Sequence, residues 1–269
     1  MVSNLEKCVA YLGPQTSFSH EAALIAFPKL NLVEKKNILE VFESIEKKEC
    51  EIGVVPIENS TGGSVPFTLD ELVKGKFFIN KEFFIEIKQC LLGNENLKNM
   101  KKIYSHPQGF AQCSNWLKKN AKGIELIETE STSKAAELAC KEKFAGAIAS
   151  KLAAKKFGLK IIENNINDDK ENSTRFIVIS QNKNEEKIGK KTSIIFGVKN
   201  KPGSLFNAIE SFKTFGVNMT KIESRPSKKK KWEYLFFVDF DGNTTENRVK
   251  KAIEELTKHC AEIIILGSY

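Results

Sequence analysis

One change of rhythm constrains this chain more than any other feature. Over residues 1–180, short apolar stretches of strand length alternate with segments whose apolar residues recur at helical spacing. Strands are expected at 8–12, 52–57, 103–105, 124–127, 146–149 and 176–179, and helices at 20–27, 41–48, 108–117 and 132–143. Ser131 or Thr132 stands as the cap of the last helix, whose apolar face carries Ala135, Leu138 and Ala139. Apolar strands alternating with helices call for a largely parallel sheet covered on both faces. Residues 77–92 (FFINKEFFIEIKQCLL) interrupt the alternation with an aromatic-rich extended run, expected to cross between two α/β lobes. Residues 181–191 (QNKNEEKIGKK) are polar, charged and nearly free of apolar side chains, the composition of a linker. After them the order becomes β-α-β-β-α-β. A strand at 193–198 leads to a helix with Leu205, Ile209, Phe212 and Phe215 on one stripe. Strands at 218–223 and 233–240, a helix bearing Val249, Ala252, Ile253 and Leu256, and a strand at 262–266 complete a ferredoxin-like plan. The expected organisation is a larger α/β region over 1–180, a linker over 181–191 and a small α/β module over 192–269.

Composition narrows the function classes. The formal net charge is +8, and most of the excess lies beyond residue 180, four charges of it in the run Lys228–Lys231. A basic run at the tip of a hairpin is a solvated loop. Nucleic-acid readers instead lay basic residues along a helix, and no helix-turn-helix is legible. No apolar run approaches the roughly 18 residues of a membrane helix, and the first residues lack the apolar core of a signal peptide. A cytoplasmic protein without nucleic-acid or membrane partners is the expectation. The six cysteines (Cys8, Cys50, Cys90, Cys113, Cys140 and Cys260) form no CxxC pair and are expected to be reduced thiols. Three separated histidines offer no metal-ligand set, and neither GxGxxG nor GxxxxGK[ST] occurs, so no metal or cofactor is expected.

Chemistry-bearing residues gather where expected strands end, the place where open α/β sheets bind ligands. The first stretch is 13–20 (GPQTSFSH). The second is 56–64 (PIENSTGGS), in which Asn59, Ser60, Thr61, Gly62, Gly63 and Ser64 suit a small anion such as a carboxylate, or form an ordinary self-capped turn. The third is Ser105-His106-Pro107-Gln108, where His106 is a general base or a structural hydrogen-bonding residue. The fourth is Asn172-Ser173-Thr174-Arg175-Phe176. Arg175 is one of three arginines among 42 basic residues. A guanidinium in a lysine-rich chain suggests bidentate carboxylate binding, or else a buried ion pair with Asp168, Asp169 or Glu171. In the C-terminal module, Asn200-Lys201-Pro202-Gly203-Ser204-Leu205 opens a helix and Glu223-Ser224-Arg225-Pro226 ends a strand. Together they could face an amino-acid zwitterion, and each could equally be turn chemistry.

In this order and spacing, GPQTSFSHEAA (13–23), GVVPIENSTGGSV (53–65), SHPQ (105–108), GAIAS (146–150), INDDKENSTRF (166–176) and the C-terminal PGSL and ESRP resemble the prephenate dehydratase family over nearly the whole chain. The C-terminal module resembles an ACT domain of the phenylalanine-binding type. Two departures stand out: the family usually has Gly-Thr where this chain has Thr16-Ser17, and Gly-Ala-Leu where it has Gly203-Ser204-Leu205.

The resemblance implies a bilobed catalytic domain of periplasmic-binding-protein type II, with substrate between the lobes, and a ferredoxin-like βαββαβ ACT domain. It implies decarboxylating dehydration of prephenate to phenylpyruvate, CO2 and water, with L-phenylalanine as allosteric effector in a homodimer or homotetramer. With no helical segment of about 90 residues before Cys8, the form without the chorismate mutase fused in some relatives is expected. Thr174 is then the hydroxyl that delivers a proton to the departing hydroxyl, with Arg175 as carboxylate anchor and Phe176 completing the catalytic motif. Asn59, Ser60, Thr61, Gly62, Gly63, Ser64, Ser105 and Gln108 would bind substrate. Asn200, Pro202, Gly203, Ser204, Leu205, Glu223, Ser224, Arg225 and Pro226 would bind phenylalanine. Arogenate dehydration, and non-catalytic amino-acid sensing by the same fold, are the alternatives.

Overall fold

The computed structural model describes residues 8–183, 189–227 and 234–269. The lysine run at 228–231 and the middle of the expected linker, 184–188, lie outside the described residues. The chain divides into two compact units, 1–68 with 83–176 and 69–82 with 177–269.

The first sheet is built from β1 (Cys8–Leu12), which leads into α1 (Phe18–Ala26), then β2 (Asn31–Lys35), α2 (Ile38–Glu46) and β3 (Ile52–Asn59). A two-residue strand β4 (Gly63–Ser64) folds back antiparallel on β3, and α3 (Pro66–Leu72) and β5 (Phe78–Glu86) follow. Side-chain caps start both early helices: Ser17 accepts from His20 N and Asn37 from Glu40 N. The sheet order is β2-β1-β3 with the later strand β11 (Ser173–Ser180) next and β5 at the edge. β1 pairs parallel with both β2 and β3.

Residues 87–89 carry the chain into the second sheet. It begins with β6 (Cys90–Gly93) and β7 (Lys102–Ser105), then α4 (Pro107–Gln112), α5 (Ser114–Asn120), β8 (Glu125–Glu128), α6 (Thr132–Lys141), β9 (Ala145–Ala149), α7 (Lys151–Phe157) and β10 (Lys160–Glu163). Its order is β10-β6-β9-β7-β8. β7 pairs parallel with β8 and β9, whereas β6 pairs antiparallel with β9 and β10. Alternate residues of these strands feed two cores. Leu92, Tyr104, Ala147 and Ala149 pack on the alanine faces of α6 and α7, while Leu91, Ile103 and Ile148 pack on Cys113, Leu117 and Ala121. The expected coverage on both faces is thus met, and the small residues of α6 (Ala135, Ala136 and Ala139) let that helix lie close to the sheet.

Several expectations shift. The helix expected over 108–117 is two helices broken at Cys113, because the Asp168 carboxylate accepts from the N–H groups of Asn115 and Trp116 and starts a new helix there. β2 and β10 are edge strands with exposed, mixed side chains, so neither shows a strand-like apolar run. The expectation of six reduced thiols is corrected: Cys8 and Cys50 form a disulfide across the start of β1 and the approach to β3. The other four cysteines are free.

The C-terminal sheet comprises β12 (Lys191–Val198), β13 (Met219–Pro226), β14 (Tyr234–Asp241) and β15 (Cys260–Ser268), with helices α8 (Ser204–Thr214) and α9 (Asn247–His259). Its order, β13-β14-β12-β15, is the ferredoxin-like arrangement. Ile194, Phe196, Val238 and Phe240 pack there on Ala208, Phe212, Val249, Ala252 and Leu256. Among the described residues no helix is long and apolar enough to cross a membrane.

Candidate active site

The ends of β3 and β11 meet at one carboxamide. Asn59 Nδ2 donates to Asn172 Oδ1 at 2.8 Å and to Thr174 Oγ1 at 2.9 Å, with Ser173 O at 3.1 Å. Its Oδ1 accepts from the N–H groups of Thr61 (3.1 Å) and Gly62 (2.8 Å) and from Thr61 Oγ1 (2.7 Å). Two backbone donors on Oδ1 fix which way this amide faces. Thr174 Oγ1 therefore accepts from Asn59 and keeps its own O–H to donate elsewhere. The side chain is nearly buried, at 8% exposure.

Thr174 and Phe176 line a cavity of about 350 Å³, together with Asn59, Gln108, His106, Gln89 and Gln112. That volume suits a small-molecule ligand. Its lining also includes the starts of α1 (Ser17, Phe18 and Ser19) and α6 (Ser131 and Thr132). First-turn N–H groups and the positive ends of two helix dipoles thus face it. Among the described residues, the one acidic side chain of that lining is Glu130, and no lysine or arginine belongs to it.

Successive strand residues face opposite ways, and this separates the members of the 174–176 motif. Thr174 and Phe176 point to the cavity; Arg175, 5% exposed, does not line it and lies 3.7 Å from Glu58. Its ion-pair partner is thus Glu58 on β3, not Asp168, Asp169 or Glu171. Asp168 is occupied at the start of α5, and Asp169 accepts from Glu171 N.

The 59–64 loop divides its tasks. Thr61 and Gly62 border an adjoining hollow of about 340 Å³ with Gln108 and Asn172. Ser60 stitches the loop to β11, donating its N–H to Ser173 O and accepting from Ser173 N. Gly63 and Ser64 form β4. Ser105 does not reach the cavity: it is fully buried and donates to Ile148 O at 3.0 Å, clipping β7 to β9. His106 caps α4, its Nδ1 accepting from Gln108 N.

Gln89 and Gln112 were not singled out in the sequence. Gln89 is 3% exposed and donates from Nε2 to Gln112 Oε1 at 3.1 Å. Its signal is an uncharged amide in the aromatic-rich extended run 77–92, one of two there with Asn80. Cys113, beside Gln112, is an inert thiol whose pKa burial pushes up to about 12.

In the C-terminal unit, Gly203 starts α8 with φ 79°, a left-handed backbone that glycine adopts without strain. Asn200 and Pro202 lie in the turn before it. Glu223, Ser224, Arg225 and Pro226 lie on the edge strand β13, two strands from β12. Glu223 lies 3.6 Å from Lys221, and Arg225 pairs with Asp70 of α3 at 2.7 Å.

The model of the prephenate dehydratase family matches residues 9–184. The chain belongs to the prephenate dehydratase family. The ACT-domain model matches residues 192–258, the ferredoxin-like sheet and its helices. A bifunctional chorismate mutase/prephenate dehydratase of Aquifex aeolicus is 45% identical over 97% of this chain and 73% of its own length. The prephenate dehydratase of Methanocaldococcus jannaschii is 37% identical, covering 98% of both chains. Among solved structures, a prephenate dehydratase from Arthrobacter aurescens in complex with L-Phe is 30% identical, with a TM-score of 0.88 over 97% of this chain and 89% of that one. A quorum-quenching acylase matches at 28% identity and the same TM-score, over 98% and 97% of the two chains. As a prephenate dehydratase family member the chain is a lyase carrying an ACT regulatory domain.

Proposed function

We propose that the cavity at the ends of β3 and β11 holds prephenate and that the Thr174 hydroxyl delivers the proton that lets the ring hydroxyl leave as water. The carrying observation is the Asn59–Thr174 hydrogen bond, which occupies the Thr174 oxygen as an acceptor and leaves its O–H to donate into the cavity that the residue lines. The C–C bond to the ring carboxylate breaks and its electron pair enters the ring. The C–O bond breaks with its pair leaving on the hydroxyl, which takes the Thr174 proton and departs as water, while the Thr174 oxygen takes a proton back from solvent water. Aromatisation drives the sequence. Hydroxide is a poor leaving group, so the donor must be in place as the C–O bond breaks.

A dianionic substrate needs anchors. The first turns of α1 and α6, which both line the cavity, supply N–H donors and dipole ends. Gln108 orients the remainder, Thr61 and Gly62 fix the Asn59 amide that holds Thr174, and Phe176 supplies an apolar wall. Arg175 braces β11 against β3 through Glu58 and does not anchor a carboxylate itself. Ser60, Gly63, Ser64 and Ser105 shape the site from behind.

In the ACT domain, the start of α8 at Asn200–Leu205 and the edge strand Glu223–Pro226 are proposed to bind L-phenylalanine, in a cytoplasmic homodimer or homotetramer. The L-Phe complex of the Arthrobacter relative supports the ligand class. Effector binding must differ in affinity between two states to regulate.

The test is phenylpyruvate formation by the purified protein from prephenate, with arogenate assayed in parallel and millimolar L-phenylalanine added to each. Turnover of prephenate that responds to L-phenylalanine is expected. Turnover of arogenate alone would reassign the substrate, and no turnover of either would remove the catalytic reading.

A further inference from the structure

The loop between β1 and α1 belongs to the first lobe, yet its hydrogen bonds run into the second. Thr16 Oγ1 donates to Ser133 Oγ on α6 at 2.7 Å, and Ser133 Oγ donates on to Gln15 O at 2.7 Å. Ser150, the cap of α7, donates to Thr16 O at 2.8 Å, and Lys156 Nζ reaches Gln15 Oε1 at 2.8 Å. On its own side the loop is fixed as well. Gln15 N donates to Glu34 Oε2 at 2.9 Å, Thr16 N donates to His20 Nδ1 at 3.1 Å, and a β-carbon at Gly13 would collide with the Glu34 side chain.

Thr16 is the least expected residue in this arrangement. Its φ is 73°, a conformation that suits glycine and that β-branched side chains seldom adopt. It is also 2% exposed, so its hydroxyl is buried and needs a partner. A polar β-branched side chain in a strained, buried position persists where the surroundings hold it there, and such positions cluster where strain serves function. Its neighbours define that function. Ser17, the next residue, caps α1, and Ser131, two before Ser133, caps α6. Both helix starts line the cavity.

We propose that Thr16 is an interlobe latch: its hydroxyl bond to Ser133 sets the separation of the α1 and α6 N-termini and so positions them on the substrate's carboxylates. This rests on the cavity being the prephenate site. Thr16 touches no reacting atom; it is a positioning residue acting through the two helix starts. Without the hydroxyl bond the lobes part more readily, the helix starts no longer reach both anionic groups at once, and binding weakens more than the chemical step.

The test uses the full-length protein with Thr16→Gly, Thr16→Ser and Ser133→Ala. Glycine removes the hydroxyl while giving the backbone the residue best suited to φ 73°, so Thr16→Gly separates the latch from the fold. Thr16→Gly is expected to raise KM for prephenate about tenfold with kcat changed less than about threefold, and Thr16→Ser to restore KM to within about twofold. Ser133→Ala should raise KM at least as far, and adding Thr16→Gly to it should raise it little further, because the two residues share one bond. Amide hydrogen exchange without substrate should quicken at 13–17 and 131–135 in Thr16→Gly and not in Thr16→Ser. Wild-type KM and wild-type exchange in Thr16→Gly would overturn the latch and leave the catalytic reading standing. A wild-type protein that fails to turn over prephenate would overturn the catalytic reading, and the exchange comparison would still decide the latch.

Discussion

Asn59 Nδ2 lies 2.9 Å from Thr174 Oγ1, and the direction of that bond is set by the two backbone N–H groups on Asn59 Oδ1. A threonine hydroxyl has one proton to give. With its oxygen engaged as acceptor, that proton can be given only away from Asn59. Replacing Thr174 by valine keeps the volume and removes the proton. Turnover of prephenate should fall about 10²–10⁴-fold with KM changed little, and Thr174→Ser should retain a substantial part of the rate. Wild-type kcat in Thr174→Val would remove Thr174 from the chemistry.

The same bond makes Asn59→Asp informative. A carboxylate has no N–H to donate, so the hydroxyl proton of Thr174 would turn to it and leave the cavity. The backbone donors of Thr61 and Gly62 would still be satisfied, which protects the loop. The expected result is a loss in kcat of about 10²-fold or more at a temperature where the fold persists, with a lower melting temperature because the carboxylate would face the Asn172 and Ser173 oxygens. Asn59→Asp with intact kcat would show that the Thr174 proton is not directed by this contact.

The strand–helix rhythm was legible because buried β strands such as β9 (AGAIA) and capped helices such as α6 carry local signals, apolar continuity in one and Ser131 in the other. The ferredoxin-like plan was legible for the same reason. Three kinds of information were not local. Edge strands β2 and β10 bury too little to require apolar runs. The acidic residues near Arg175 in sequence are Asp168, Asp169 and Glu171, whereas Glu58 lies on the strand that β11 joins in the sheet. Thr16 stands where the family usually has glycine, and only the fold shows the buried Ser133 hydroxyl that its own meets. Residue types near the site could be named from sequence, but the face of β11 on which each lies could not be used until the sheet was known.

Arg175 gives a direct contrast between bracing and anchoring. With the guanidinium buried on the face away from the cavity and paired with Glu58, Arg175→Lys should leave KM for prephenate within about twofold while lowering stability by about 1–3 kcal/mol, as for loss of a charge-assisted bond. Thermal unfolding and steady-state kinetics on one preparation separate the two. A tenfold rise in KM at unchanged stability would return the arginine to the substrate.

His20 ties the latch loop to pH. Its pKa is held below the ordinary histidine value, chiefly by burial, with the Lys156 ammonium adding to the effect and Glu34 opposing it. Nδ1 accepts from Thr16 N, which requires the neutral ring. The folded state therefore binds fewer protons at this site than the unfolded state. Its contribution is fully present above the unfolded value near 6.5 and is lost as pH falls through the lower folded value. The melting temperature should drop between pH 7 and pH 5, and His20→Gln should flatten that part of the profile. An unchanged profile in His20→Gln would assign the acid sensitivity to other groups.

The Cys8–Cys50 bridge joins residues 42 apart at the end of the sheet where β1 begins, away from the loops that follow β1 and β3 and line the cavity. Closing a loop of that length restricts the unfolded chain, worth about 4 kcal/mol in the chain-entropy model. The bridge should therefore act on stability and leave the chemistry alone. A reductant should lower the melting temperature by several degrees without changing kcat or KM at 25 °C, and Cys8→Ser should melt at the reduced value with or without reductant. Free-thiol titration of the unfolded oxidised protein should find four thiols, matching Cys90, Cys113, Cys140 and Cys260. Six thiols before reduction, or a loss of turnover on reduction at a temperature where the fold persists, would contradict this assignment.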